Sequence, residues 1–225
     1  DSEGENMVTG SPVNSIDVSL AEGWNLVTGG SQSMDVSTIS DPNGIIVANT
    51  LYGFETGYVA SNSLDPGKGY WLRTNAAGDV TIGGGAARTR NFVNRLENSS
   101  KISFNGQVLY IDSEVPESEL LSYSLPPVPP VGAFDARFDS DLLFTGNQGN
   151  INIQNPDGEL RIIYEINDNS KWILYSSDGF SYELYGSGNL VLPSIDNMEF
   201  NIRKTDVSLE PISFGLKGSF PNPFN

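Results

Sequence analysis

Histidine and cysteine are both absent from the sequence, and with them go most of the groups that enzymes recruit. Ser-His-Asp and Cys-His nucleophilic centres, thiol redox pairs, haem and iron–sulfur ligation and the usual zinc sites all need one or the other. Basic residues are scarce: 12 Lys and Arg stand against 28 Asp and Glu, a formal net charge of −16. Such a chain repels phosphate backbones and anionic lipid, so no nucleic acid is expected as a partner. Long apolar runs are missing too. Nothing approaches the roughly 18 consecutive residues of a membrane-crossing helix, so no transmembrane segment is expected. Asp1 to Asn6 carries neither the basic start nor the apolar centre of an export leader. The lack of cysteine fits an exported or a cytosolic chain and fixes no compartment.

Helical periodicity is also hard to find, and what replaces it is alternation. Phe134, Ala136, Phe138; Leu160, Ile162, Tyr164, Ile166; Trp172, Leu174; Tyr182, Leu184; and Met198, Phe200, Ile202 each place apolar side chains at every second position, the spacing that buries one face of a strand. Between such runs sit Asp41-Pro42-Asn43-Gly44, Asp65-Pro66-Gly67, Asn155-Pro156-Asp157-Gly158 and Ser177-Asp178-Gly179, where Pro presets φ and Gly supplies a positive one. The chain reads as all-β. Turn signals about every 8–12 residues predict two consecutive β-sandwich domains, Ig-like or jelly-roll-like.

Composition divides the chain as follows: an N-terminal extension over 1–14, a first β domain over 15–83, a glycine-led polar linker over 84–100, a second sandwich over 101–208, and a tail over 209–225. Residues 68–101 hold six of the 12 basic side chains: Lys68, Arg73, Arg88, Arg90, Arg95 and Lys101. Those cations could dock an acidic surface or pair with the acidic domains themselves. Leu125-Pro126-Pro127-Val128-Pro129-Pro130-Val131 cannot be a central strand, because its four prolines lack the amide donor that a ladder uses. It is expected to run extended as a rigid crossover between sheets, with the Pro126 to Pro129 spacing of a recognition ligand as the other reading.

Carboxylates are the remaining acid–base groups. Asp135, Asp139 and Asp141 cluster in sequence, but a hydrolase needs two carboxyls flanking one cleft, which spacing alone does not establish. The same residues, with Asp41 and Asp168, could offer oxygens to Ca²⁺, although no calcium-loop pattern is present and turn chemistry explains them equally. Gly67-Lys68-Gly69 lacks the surroundings of a phosphate loop. No catalytic residue, cofactor site or metal site is therefore assigned, with Ca²⁺ kept as the one candidate ion. Among the aromatics, Tyr52 and Phe54 share one face of a strand, and Trp71 and Arg73 point away from Tyr70 and Leu72. Trp71, with Tyr58, is the candidate for an exposed platform that stacks on a sugar.

The tail ends Phe214-Gly215-Leu216-Lys217-Gly218-Ser219-Phe220-Pro221-Asn222-Pro223-Phe224-Asn225. This resembles the opening of the C-terminal sorting domain of type IX secretion substrates, with Phe214, Leu216, Phe220, Pro221, Asn222, Pro223, Phe224 and Asn225 at matching positions. Gly218-Ser219 departs from the Gln-Asn common there, and the remainder of that domain does not follow. Gly23-Trp24-Asn25-Leu26-Val27, Leu51-Tyr52-Gly53-Phe54, Gly57-Tyr58-Val59 and Leu64-Asp65-Pro66-Gly67-Lys68-Gly69-Tyr70-Trp71-Leu72 resemble a module found ahead of that signal, and Tyr123 to Phe138 resembles the segment that precedes it. The resemblance implies a non-catalytic stalk or accessory module at the C-terminal end of an exported bacterial protein. Its partners would be the type IX secretion machinery and upstream domains of the same polypeptide, and its location extracellular or on the outer cell surface. Glycan binding through the exposed rings and self-assembly into a surface filament or layer are the competing readings.

Overall fold

Alternating apolar residues need a second layer to cover them, and the two halves of the chain meet that need separately. The computed structural model describes residues 10–83, 92–154, 158–193 and 197–205. Its strands are β1 (Ile16–Leu20), β2 (Gly23–Thr28), β3 (Met34–Asp35), β4 (Ile46–Phe54), β5 (Tyr58–Ala60), β6 (Ser63–Leu64), β7 (Gly69–Thr74), β8 (Gly78–Ile82), β9 (Ser100–Phe104), β10 (Gln107–Ile111), β11 (Asp135–Phe138), β12 (Gln148–Gln154), β13 (Glu159–Glu165), β14 (Lys171–Ser176), β15 (Ser181–Leu184), β16 (Ser187–Pro193) and β17 (Asn197–Thr205). The fold is all-β, as the alternation predicts. Among the described residues, no sheet mixes strands from β1–β8 with strands from β9–β17.

In the N-terminal strands, a four-stranded antiparallel sheet ordered β2-β7-β4-β5 is covered by the ribbons β1-β8 and β3-β6. Val27, Leu51, Tyr70 and Leu72 of the sheet meet Leu20, Val80 and Ile82 of one ribbon and Met34 and Leu64 of the other in a single core. The predicted turns sit at its corners. Lys68 N–H bonds Asp65 O across Pro66-Gly67, with Gly67 at φ 74°, the positive value that follows proline in a type II turn.

The C-terminal strands form a sandwich of a four-stranded sheet, β10-β9-β13-β16, on a five-stranded sheet, β11-β12-β17-β14-β15. Every alternating run named above from Phe134 to Ile202 contributes to the core between them, where Trp172, Phe104, Phe138 and Phe200 are buried. Trp172 is wholly enclosed, yet its indole N–H reaches Ser170 Oγ at 3.1 Å, so no donor is stranded by the burial. The β9–β10 hairpin closes on Asn105-Gly106, both with positive φ, the pair that matches a tight turn to strand twist.

Two features lie outside the sequence expectations. A 3-10 helix over Glu117–Tyr123 follows β10, and Tyr123 with Leu96 and Phe144 makes a small third core. Strand β11 is buried on both faces rather than one. Its inward side carries Ala136 and Phe138; its outward side carries Asp135 and Arg137, and what covers these is the proline-rich crossover.

Candidate functional site

The feature that joins the two sets of strands begins with period-two placement on β7. Tyr70 and Leu72 face the core, so Trp71 and Arg73 stand on the opposite, outward side. Register then fixes their neighbours: Trp24 lies opposite Arg73, Leu26 and Tyr52 flank Trp71, and Phe54 lies opposite Tyr58. The outward face is thus a sheet of rings. Trp24–Tyr52, Tyr52–Tyr58 and Phe54–Tyr58 meet edge to face, with centroids 5.9, 6.5 and 5.5 Å apart, the geometry that sets a positive ring edge against a negative ring face. The Arg73 guanidinium lies 5.5 Å from the Trp24 ring centre.

Although it is on the solvent side of its sheet, Tyr52 is 4% exposed. The cover comes from the C-terminal half. Asn49 Nδ2 donates to Ser122 O at 3.2 Å, Arg73 Nη1 to Ser124 Oγ at 3.3 Å, and the Tyr58 hydroxyl to Pro127 O at 2.7 Å. Burial, with the Tyr110 phenol nearby, pushes the Tyr52 hydroxyl well above its ordinary value. Tyr58 is raised chiefly by burial, against the Arg137 charge and the Trp71 N–H. Both phenols stay protonated through the neutral range, so Tyr58 can donate.

Those contacts receive the proline-rich segment. Proline has no N–H, so the crossover cannot run a regular ladder, and side chains supply most of the donors to its carbonyls, with Pro130 O also accepting from the Ala133 N–H at 3.1 Å. Arg137 Nη1 reaches Pro126 O at 2.9 Å, Tyr58 reaches Pro127 O, and Gln154 Nε2 reaches Pro129 O at 3.1 Å and Pro130 O at 3.2 Å. Pro126 and Pro129 are buried while Pro127, Val128 and Pro130 are exposed. That is the three-residue period of an extended proline helix with one edge packed. The segment links the helix after β10 to β11 and so connects the two sheets of the sandwich, lying against the outward face of β11. Its P-x-x-P spacing is used within the chain.

Beneath it, Arg137 and Asp135 form a buried ion pair, 4% and 2% exposed at their side chains, with Nε to Oδ2 at 2.5 Å and Nη2 to Oδ1 at 3.1 Å. Arg137 Nη1 also meets Asp141 Oδ1 at 2.8 Å. Two of the three clustered aspartates are therefore spent on one guanidinium. Asp139 accepts from Asn150 Nδ2 at 3.0 Å. Asp41 receives the N–H groups of Ile45 and Ile46, both at 2.9 Å, and Asp168 receives Ser170 and Lys204. Among the described residues, no three carboxylates converge as a metal cage would require.

The other sequence-named residues are placed as follows. Trp71 and Tyr58 are half-buried on the ring face, with Tyr58 committed to Pro127. Leu26, at 68% exposed, and Phe54, at 47%, mark where that face reaches solvent. Of the basic cluster, Lys68 pairs with Asp65, Arg95 forks onto Glu119 and Arg73 stacks on Trp24. Arg88 and Arg90 lie outside the described residues, as do Phe214, Leu216 and Phe220 to Asn225. Compared with known proteins, the chain matches no family model, no curated protein and no solved structure.

Proposed function

We propose that this chain is a non-catalytic stalk or accessory module of an exported bacterial protein, displayed outside the cell through type IX secretion, with Phe214 to Asn225 as the start of its sorting segment. The observation that supports the stalk reading is the clamped crossover. Side chains from both halves, Tyr58 on one side and Arg137 and Gln154 on the other, hold successive proline carbonyls, and Tyr52 and Tyr58 of the ring face are turned to this internal contact. A coupling of that kind suits a spacer that must hold its parts in a fixed relation. Of the three aspartates clustered in sequence, Asp135 and Asp141 are both committed to Arg137 rather than left facing a cleft.

Export is tested by fusing residues 209–225, with any sequence that the gene encodes past Asn225, to a periplasm-directed reporter in a host with type IX secretion. The reporter is expected in the medium or on the surface, and replacing Phe220 to Asn225 by alanines is expected to return it to the periplasm. A reporter that stays periplasmic in both forms counts against the proposal.

A further inference from the structure

The outward face of the five-stranded sheet carries a second arrangement that the stalk reading does not use. Strands β12 and β17 are internal to that sheet, and their register sets Asn150 opposite Asn201 and Asn152 opposite Glu199. Asparagine is among the residues most depleted in strands, because its short amide competes for backbone partners and packs poorly on a pleat. Three of them on one face of two central strands, where folding alone favours Thr or Val, indicate a demand other than folding.

The geometry shows what the arrangement offers. Asn201 Nδ2 donates to Asn150 Oδ1 at 2.8 Å, and Asn150 Nδ2 donates in turn to Asp139 Oδ2 at 3.0 Å. Each amide is thereby locked in one orientation. Each also keeps its second N–H, while Asn201 Oδ1 and the other Asp139 oxygen remain as acceptors. At one side Tyr175, directly opposite Asn201, is fixed by Arg203, whose guanidinium lies 4.7 Å from the ring centre and donates to the hydroxyl at 2.6 Å. Among the described residues, no side chain donates to the Glu199 carboxylate or bonds the Asn152 amide. Asp139, Asn150, Asn152, Tyr175, Glu199 and Asn201 line a cleft of about 370 Å³, with Arg203 behind the tyrosine.

We infer that this cleft on the five-stranded sheet binds a neutral saccharide, with Asn150, Asn152, Asn201, Asp139 and Glu199 reading hydroxyls and Tyr175 supplying ring surface. The donor and acceptor mix selects the class. A hydroxyl both gives and accepts, so a strip of fixed amide donors alternating with carboxylate and amide acceptors satisfies vicinal hydroxyls on both counts. Cross-strand neighbours about 5 Å apart and same-face neighbours about 7 Å apart along a strand give the strip the scale of a sugar ring. Anionic ligands are disfavoured by Asp139, Glu199 and the net charge of −16. This site is separate from the Trp71 and Tyr58 platform, which lies on a different sheet.

Isothermal titration of the full chain in EDTA buffer with cellohexaose, xylohexaose, mannohexaose and maltohexaose tests the inference. At least one is expected to give saturable binding that weakens about tenfold, the worth of one to two hydrogen bonds, in Asn152→Ala and in Asn201→Ala. Trp71→Ala is expected to leave it unchanged. Because Asn201 supports Asn150, thermal melting accompanies each variant, and the exposed Glu199→Gln serves as a second probe of the same cleft. No binding by any of the four sugars overturns the inference. So does binding that survives Asn152→Ala and Glu199→Gln but is lost in Trp71→Ala.

Discussion

Arg137 is the side chain on which most depends locally. Its guanidinium is enclosed, and it neutralises Asp135, caps Pro126 O and reaches Asp141. Removing one partner of a buried pair strands the other charge at a cost of about 3–5 kcal/mol, whereas replacing both by apolar groups is often neutral. Arg137→Met is expected to lower unfolding free energy in urea by that amount, and Arg137→Met with Asp135→Leu to recover much of it. A single variant no less stable than the double contradicts this account. Asp168 gives a pH-dependent counterpart. Burial raises its carboxyl, but the Ser170 hydroxyl, the Lys204 ammonium and the Ser170 N–H outweigh that and hold it at about 2. Its pKa in the unfolded chain is roughly 3.9, so the stabilisation is present above that value and is lost as pH falls toward 2. The side chain is 45% exposed, which limits the effect to roughly 0.5–1 kcal/mol. Asp168→Asn should therefore trail the parent in urea midpoint at pH 7 and converge with it near pH 2; an equal gap at both pH values would refute the assignment.

Elements were legible where one physical rule acted alone. Strands with one wet face announce themselves by alternation, and the runs of β13, β14 and β17 all reached the core. The crossover was legible as a non-strand because missing amide donors are visible in sequence. Its partners were not: nothing local to Tyr58 or Gln154 signals a carbonyl some 69 or 25 residues away. Strand β11 departs from alternation for the same reason, since the cover on its outer face arrives from the crossover. The amide strip of β12 and β17 could have been noticed from the cost of asparagine in strands, although pairing Asn150 with Asn201 needs the register. The crossover's dependence on donated hydrogen bonds is testable. Gln154→Leu keeps the bulk but removes the donor to Pro129 O and Pro130 O, and also to Ala133 O at 3.2 Å. A loss of about 1–3 kcal/mol in urea unfolding is expected, with faster amide exchange at Gly132 and Ala133. Unchanged stability and exchange would mean that packing of Pro126 and Pro129 alone holds the segment.

At the scale of the molecule, the question is whether two separate cores unfold as one. The cores share no sheet, and joints of this kind are by default free to move. Here the joint has an enclosed centre, because Tyr52 is buried on the side of its sheet that faces away from its own core. Around it stand the Asn49, Arg73 and Tyr58 hydrogen bonds, and a Cβ added at Gly57 would come within 3.3 Å of Phe134 O. Losing a buried ring of that size costs about 3–5 kcal/mol, comparable with a substantial part of the stability of a small unit. The intact chain is therefore expected to melt in one calorimetric transition whose van't Hoff and calorimetric enthalpies agree. Tyr52→Ala combined with Tyr58→Phe should split it into two, because both cores remain whole while the contact between them is lost. The separation is expected to be several degrees, set by how much each half had drawn on the other. A parent chain that already melts in two steps would show that the ring face only rests against the crossover, and the case for a spacer of fixed geometry would lose its main support.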